Sequence, residues 1–287
     1  MSGNVNLIVN ATGAVAALIV VGWFGMSWLD KDEPAICEGR YPVSTRFNLT
    51  SASGELVSLS ELQARLGSSE WGVLENAMVL SPETDQDHPQ LAVALRKDAG
   101  ADADQTPAGL GFTWMPAELL DARPNAACLS YSIYFPPELS FGNGGTLPGL
   151  AIGSTFDPRG DAVVGQGAAV RLGWNKDGAP VVNVQDATAE GWKILPTVAG
   201  KASLRRGRWI TIEQEVILND AGKKNGVARI WIDGQFAGEN KQLELRTDAA
   251  PAIAGVRTDI HYGGALKPSG APADTEIRLT PFVLRWQ

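Results

Sequence analysis

Short runs in which apolar and polar residues alternate recur along this chain, and they limit its fold more narrowly than any other feature. In LSYSIYF, Leu129, Tyr131, Ile133 and Phe135 alternate with Ser130, Ser132 and Tyr134. In AAVRLGW, Val170, Leu172 and Trp174 alternate with Ala169, Arg171 and Gly173. In WITIEQEVIL, Ile210, Ile212, Val216 and Leu218 oppose Thr211, Glu213 and Glu215. A period of two belongs to a strand with one face buried. ARIWIDGQFAG carries the Asp-Gly pair of a tight hairpin at Asp233-Gly234, and PFVLRW closes the chain with one more strand. Many such runs, separated by Gly, Pro, Asn and Asp turns, specify an all-β sandwich or jelly roll. One helix is expected from Ser58 to Leu66, with Ser60 as its cap and Leu59, Leu62 and Leu66 on one face.

With 287 residues, 44 % of them hydrophobic and 20 % charged, the chain is long enough for one large globular domain. A net charge of −8 argues against a nucleic-acid partner. Leu7 to Leu29 contains no charged residue; as a helix it would be about 34 Å long, close to bilayer thickness. Trp23 and Trp28 sit at its end as an interfacial belt, and Asp30, Lys31, Asp32 and Glu33 stop it. Residues 1–6 lack Lys and Arg, and no small-residue cleavage site follows the run, so an uncleaved transmembrane helix is expected rather than a signal peptide. The reading is a single-pass membrane protein with its N-terminus in the cytoplasm and the residues after about 34 in the periplasm or outside. Asn10, Thr12, Gly13, Gly22 and Gly25 would let this helix pack against integral membrane proteins. The expected organisation is a tail (1–6), the span (7–29), a neck with the short helix (30–69) and a β domain (70–287). Cys37 and Cys128 show no metal-ligand spacing; they are either two buried thiols or a disulfide tying the neck to the core.

FGNGGTLPGLAIG, Phe141 to Gly153, has more glycine and proline than a hairpin needs. Its glycines and Pro148 are expected to shape a strand edge where the backbone passes close to its neighbours. GGTLPGL (Gly144 to Leu150) recurs together with YSIYFP (Tyr131 to Pro136), RLGWNKDG (Arg171 to Gly178), the run from Gly207 to Gly234, and Gly263-Gly264. Together these segments resemble the alginate and polyuronate lyases of polysaccharide lyase family 14, over roughly residues 70 to 287. The resemblance implies a β-jelly roll of two curved antiparallel sheets, with substrate lying along the concave one.

β-Elimination on a uronate needs a group that neutralises the carboxylate, a base for the C5 proton and an acid for the leaving oxygen. The family pattern, as the resemblance implies it, supplies a Lys within the glycine-rich motif, a Ser-x-Arg pair and a Tyr-x-Tyr pair. Here those positions are Thr146, Ala169 and Arg171, and Asn183 and Gln185. Only Arg171 keeps its type. Arg171, Asn183, Gln185 and Thr146, with Trp174 and Trp192 near in sequence, form the polar and aromatic set that a neutral-sugar site would use. His261 and Tyr262 are the candidate substitute base and acid, although adjacent strand residues point to opposite faces, so at most one should face the cleft. His88, in ETDQDHP, reads as part of a solvated turn. No Ser/His/Asp triad, P-loop or haem motif is visible, and no metal or cofactor is called for. Two functions follow as expectations. One is a non-catalytic lyase-like domain, serving as an accessory subunit of a membrane complex or as a module binding cell-envelope polysaccharide. The other is an active polyuronate lyase with a rearranged site built on Arg171, His261 and Tyr262.

Overall fold

The computed structural model describes residues 34–66, 70–83, 87–100, 107–153, 167–186, 193–196, 203–263 and 268–287. The expected span 7–29, Trp192 and Gly264 lie outside the described residues; among those described, no helix is long and apolar enough to cross a membrane.

In chain order the strands are β1 (Val43–Arg46), β2 (Glu70–Trp71), β3 (Ala77–Leu80), β4 (Gln90–Leu95), β5 (Gly109–Trp114), β6 (Ala126–Phe135), β7 (Gly145–Ile152) and β8 (Ala168–Trp174). They continue with β9 (Pro180–Gln185), β10 (Lys193–Pro196), β11 (Arg208–Ile217), β12 (Gly226–Ile232), β13 (Gln235–Leu243), β14 (Ile253–Tyr262), β15 (Thr275–Leu279) and β16 (Val283–Trp286). One sheet runs β13-β12-β11-β6-β15-β4-β3, with β16 also beside β6 and β1 beside β16; the other runs β10-β9-β8-β7-β14-β5-β2. Every strand pairing is antiparallel.

The alternation assigns the faces as expected. Leu129, Tyr131, Ile133 and Phe135 from β6, with Ile210, Ile212 and Val216 from β11, share one buried cluster with Leu150, Ile152, Val170, Leu172, Val184, Val256 and Ile260 of the second sheet. Two polar contacts cross this apolar layer. Gln214 Nε2 donates to the carbonyl of Val170 at 2.9 Å, and the Tyr131 hydroxyl donates to the carbonyl of Pro148 at 3.3 Å. The β12–β13 hairpin turns at Asp233 and Gly234, both with positive φ, as a tight turn of this kind requires. The short helix α1 (Leu59–Leu66) buries Leu62 and Leu66. Its cap is Ser58, whose hydroxyl accepts from the Glu61 amide at 3.2 Å, in place of the expected Ser60.

Two expectations change. The neck is part of the domain: β1 extends the larger sheet through β16, and Cys37 is bonded to Cys128 of β6. Cys37, Tyr41, Cys128 and Trp231 form a second buried cluster on the far side of that sheet. Glu213 and Glu215, on the polar side of β11, are therefore buried as well. Glu215 receives the Tyr41 hydroxyl at 2.6 Å and faces Arg40 at 2.9 Å and Arg229 at 2.8 Å.

The glycine-rich segment is the middle strand of its sheet, not an edge. Pro148 cannot donate to a ladder, so a central strand must bulge there, and the β7–β8 register shifts between Thr146 and Gly149. Gly145 is fixed by proximity: a Cβ there would lie 2.0 Å from the ring of Trp174 and 2.6 Å from the carbonyl of His261. Gly145→Ala is expected to cost roughly 3 kcal/mol, on the order of 10 °C in Tm for a domain of this size; thermal unfolding measures it.

Candidate functional site

Strand pairing places one polar group on the face of the seven-stranded sheet turned away from the core. Arg171 of β8 pairs with Asn183 of β9 on one side and Gly149 of β7 on the other; beyond Gly149 lies Arg257 of β14. Thr146 pairs with Gly173 and with His261, and Ala169 pairs with Gln185. Arg257, Asp259 and His261 follow one another at a spacing of two, so all three join this face. Trp71 of β2, paired with Gly111 of β5, completes it.

Asp259 sits at the centre. Its Oδ2 accepts from Arg171 Nη1 and, at 2.7 Å, from Arg257 Nε. Burial alone would raise its pKa, but Arg257 and then Arg171 outweigh burial and hold the carboxyl below the usual carboxylate range. The Thr146 hydroxyl donates to the Asp259 main-chain carbonyl at 2.9 Å. An alanine methyl at Gly111 would fall 2.4 Å from Asp259 Oδ1 and 2.2 Å from Trp71 Nε1, so the carboxylate and the indole lean over the same bare position. Asn183 leans in the same way over Gly173, its Nδ2 lying 2.5 Å from where a methyl there would be. Asn183 is 1 % exposed, and among the described residues neither end of its amide has a hydrogen-bond partner.

His261 Nδ1 lies 2.8 Å from the carbonyl of Tyr262 and so carries the proton, which leaves Nε2 as a base. Burial holds the imidazole neutral, with its pKa lowered to about 4, against the opposing pull of Asp259. Its ring is 6.0 Å from that of Trp71.

Of the expected site residues, Arg171, Asn183, Gln185, Thr146 and His261 therefore come together on one face. Tyr262 and Trp174 do not. Trp174 is 1 % exposed on the core face, edge-on to Phe135 and Tyr262, with its Nε1 donating to the Phe141 carbonyl at 3.0 Å. The period of two that aims Arg171 outward aims Trp174 inward. The Tyr262 hydroxyl donates to the Ser140 carbonyl at 2.6 Å, and burial pushes its pKa up to about 12. The expected acid is thus on the wrong side of the sheet, and among the described residues the aromatic of this face is Trp71, which is partly exposed. Arg257 and Asp259 join the face unexpected: Arg257, Thr258 and Asp259 are an unbroken polar triplet in IAGVRTDIHY, which strand parity counted from His261 divides between the two faces, and nothing around Trp71 marked it. His88 lies on the surface against Arg46, with Nε2 2.9 Å from Nη1. Among the described residues, no three His, Cys, Asp or Glu side chains gather as metal ligands.

Two antiparallel sheets with a polar face centred on the β7 glycines define a jelly roll of the polysaccharide-lyase kind. The chain belongs to the polysaccharide lyase 14 family, whose model matches residues 83–282. Solved structures agree on the fold. A marine PL-14 alginate lyase from Aplysia kurodai superposes with a TM-score of 0.68 at 21 % identity, covering 86 % of this chain and 99 % of its own. The alginate lyase vAL-1 from Chlorella virus gives 0.64 at 17 % identity, covering 85 % and 99 %. An alginate lyase variant with a lysine and a tyrosine each replaced by alanine, in complex with an alginate tetrasaccharide, gives 0.58 at 18 % identity, covering 86 % and 98 %. A comparison with curated proteins gives no match.

The His261 shift has a consequence for stability. Because the folded pKa lies below the unfolded one, the unfolded chain binds the extra proton between about pH 6.5 and 4. The contribution of the neutral imidazole is complete above pH 6.5 and is lost as the pH falls towards 4, on the order of 3 kcal/mol in all. Denaturant unfolding of wild type and His261→Gln across this range should show the wild-type slope flattened in the variant.

Proposed function

We propose that this chain is a lyase-fold domain that binds saccharide without cleaving it. The identity of the residues at the proton-transfer positions carries the reading. Where the family resemblance calls for Lys, Ser and two Tyr, the face presents Thr146, Ala169, Asn183 and Gln185, none of which exchanges protons near neutral pH. Polar recognition groups nevertheless remain. An amide left unpaired in the interior costs stability, and its retention at Asn183 is accounted for by a ligand that completes its hydrogen bonds. The tetrasaccharide complex of the related lyase variant supports binding that outlasts the loss of a lysine and a tyrosine.

The full chain is expected to release no unsaturated sugar ends from alginate or other polyuronates, while binding oligosaccharide. Asn183→Ala should weaken that binding about tenfold or more and leave Tm equal or higher. Appearance of unsaturated ends overturns the reading, as does a variant that binds as well as wild type.

One observation favours the second reading, an active lyase with a rearranged site. His261 is a neutral base on the same face as Arg171, and Arg171 would receive the uronate carboxylate. It predicts turnover that His261→Ala abolishes.

The domain is proposed to lie outside the cytoplasm, held by Leu7 to Leu29 among integral membrane proteins. The Cys37–Cys128 disulfide supports an oxidising compartment. Gentle extraction from native membranes should show the chain migrating with a constant set of membrane proteins; migration alone would remove the accessory-subunit role and leave the binding role.

A further inference from the structure

Resting on the saccharide-binding reading, we infer that Asp259 is a built-in counter-carboxylate: it takes the place a uronate carboxylate would occupy between two arginines and makes this face selective for uncharged sugars, with Trp71 as the ring-stacking platform. The geometry begins with the cations. Arg171 and Arg257 flank Gly149, a position with no side chain to separate them, and a single oxygen of Asp259 accepts from both. Arg257 Nη2 lies 2.7 Å from the same oxygen. A ligand carboxylate seeking these guanidiniums meets the place already filled. It could enter only by displacing a side chain that is 5 % exposed and held on two strands, or by standing beside a like charge where water does not screen it. Asp259 cannot leave by protonation in the neutral range, since both arginines favour its ionised form.

The groups left over suit hydroxyls. Asn183 offers an amide N–H pair and a carbonyl, both unpartnered among the described residues, over the bare Gly173. Such an amide can donate to one sugar hydroxyl and accept from its neighbour. Trp71 provides a flat apolar ring at the partly exposed margin of the face, with Nε1 over Gly111 beside Asp259 Oδ1. An aromatic face takes the C–H side of a pyranose, and apolar walls with a few fixed polar groups are what a small-ligand site is made of.

The test uses the full chain and two pairs of β-1,4-linked tetrasaccharides matched in skeleton, mannose with mannuronate and glucose with glucuronate. The members of each pair differ at C6, hydroxymethyl against carboxylate. Equilibrium binding should favour the neutral member of at least one pair by about tenfold or more in wild type. Asp259→Asn should shift the preference towards the uronate, raising its affinity relative to the matching neutral sugar by about tenfold, in a manner that weakens with added salt. Trp71→Ala should weaken the neutral sugar by about tenfold with Tm unchanged. Wild type that binds a uronate as tightly as its neutral partner overturns the inference and leaves the saccharide-binding reading standing. An Asp259→Asn variant with an unaltered preference does the same. If that variant does not fold, the wild-type preference and Trp71→Ala decide the matter. Binding of none of the four sugars by wild type or by Asp259→Asn overturns the binding reading itself, and the inference with it.

Discussion

Two guanidiniums cannot be buried on one sheet face unless a carboxylate is buried with them, and the arrangement of the second sheet follows from that requirement. Arg171 and Arg257 come from strands on either side of β7, and the Asp259 carboxylate accepts from both. Removing an ion from water costs several kcal/mol, recovered only when partners and hydrogen bonds are well placed. The placement here depends on the backbone. Gly149 lets β7 pass close to the β8 backbone, where a Cβ would lie 2.1 Å from the Val170 carbonyl, Gly111 leaves room for the Asp259 carboxylate, and the bulge at Pro148 keeps Thr146 and Gly149 on the same face despite their odd spacing. The residues that give FGNGGTLPGLAIG its unusual composition are the ones that let a charged cluster exist inside a closely packed sheet.

Much of the fold could be read from the chain because a single physical rule, the alternation of strand faces, acts locally. It assigned Leu129 to Phe135 and Ile210 to Val216 correctly to the core. It could not assign Glu213 and Glu215, whose burial is caused by a distant segment, Cys37 to Tyr41, folded over them. Nor does sequence composition say that β7 is central; that depends on which strands pair, a long-range matter. The site was legible to the same degree. Arg171, Asn183 and Gln185 share a face because period two and one turn relate them. Trp174 was placed beside them by nearness in sequence, where strand parity already pointed it inward. Trp71 and Asp259 reach the face from opposite ends of the chain, and the sequence gives no measure of that nearness.

The chain carries the scaffold of its family. Its two antiparallel sheets set the glycine-rich strand at the middle of one of them, and the polar face there holds Thr146, Arg171, Asn183 and Gln185. A fold of this kind is a frame on which side chains are exchanged with little effect on the backbone. Thr146 is one such side chain: its hydroxyl donates to the Asp259 main-chain carbonyl and ties β7 to β14.

The covalent link between Cys37 and Cys128 also decides how the domain bears load. Tension arriving from the N-terminal side meets the disulfide before it meets β1, and passes directly into β6, which is bonded to β11 along ten residue pairs. Strand β1, with four pairs to β16, lies beyond this anchorage and is spared. A pull applied at the N-terminal end would thus enter the domain at the middle strand of its larger sheet.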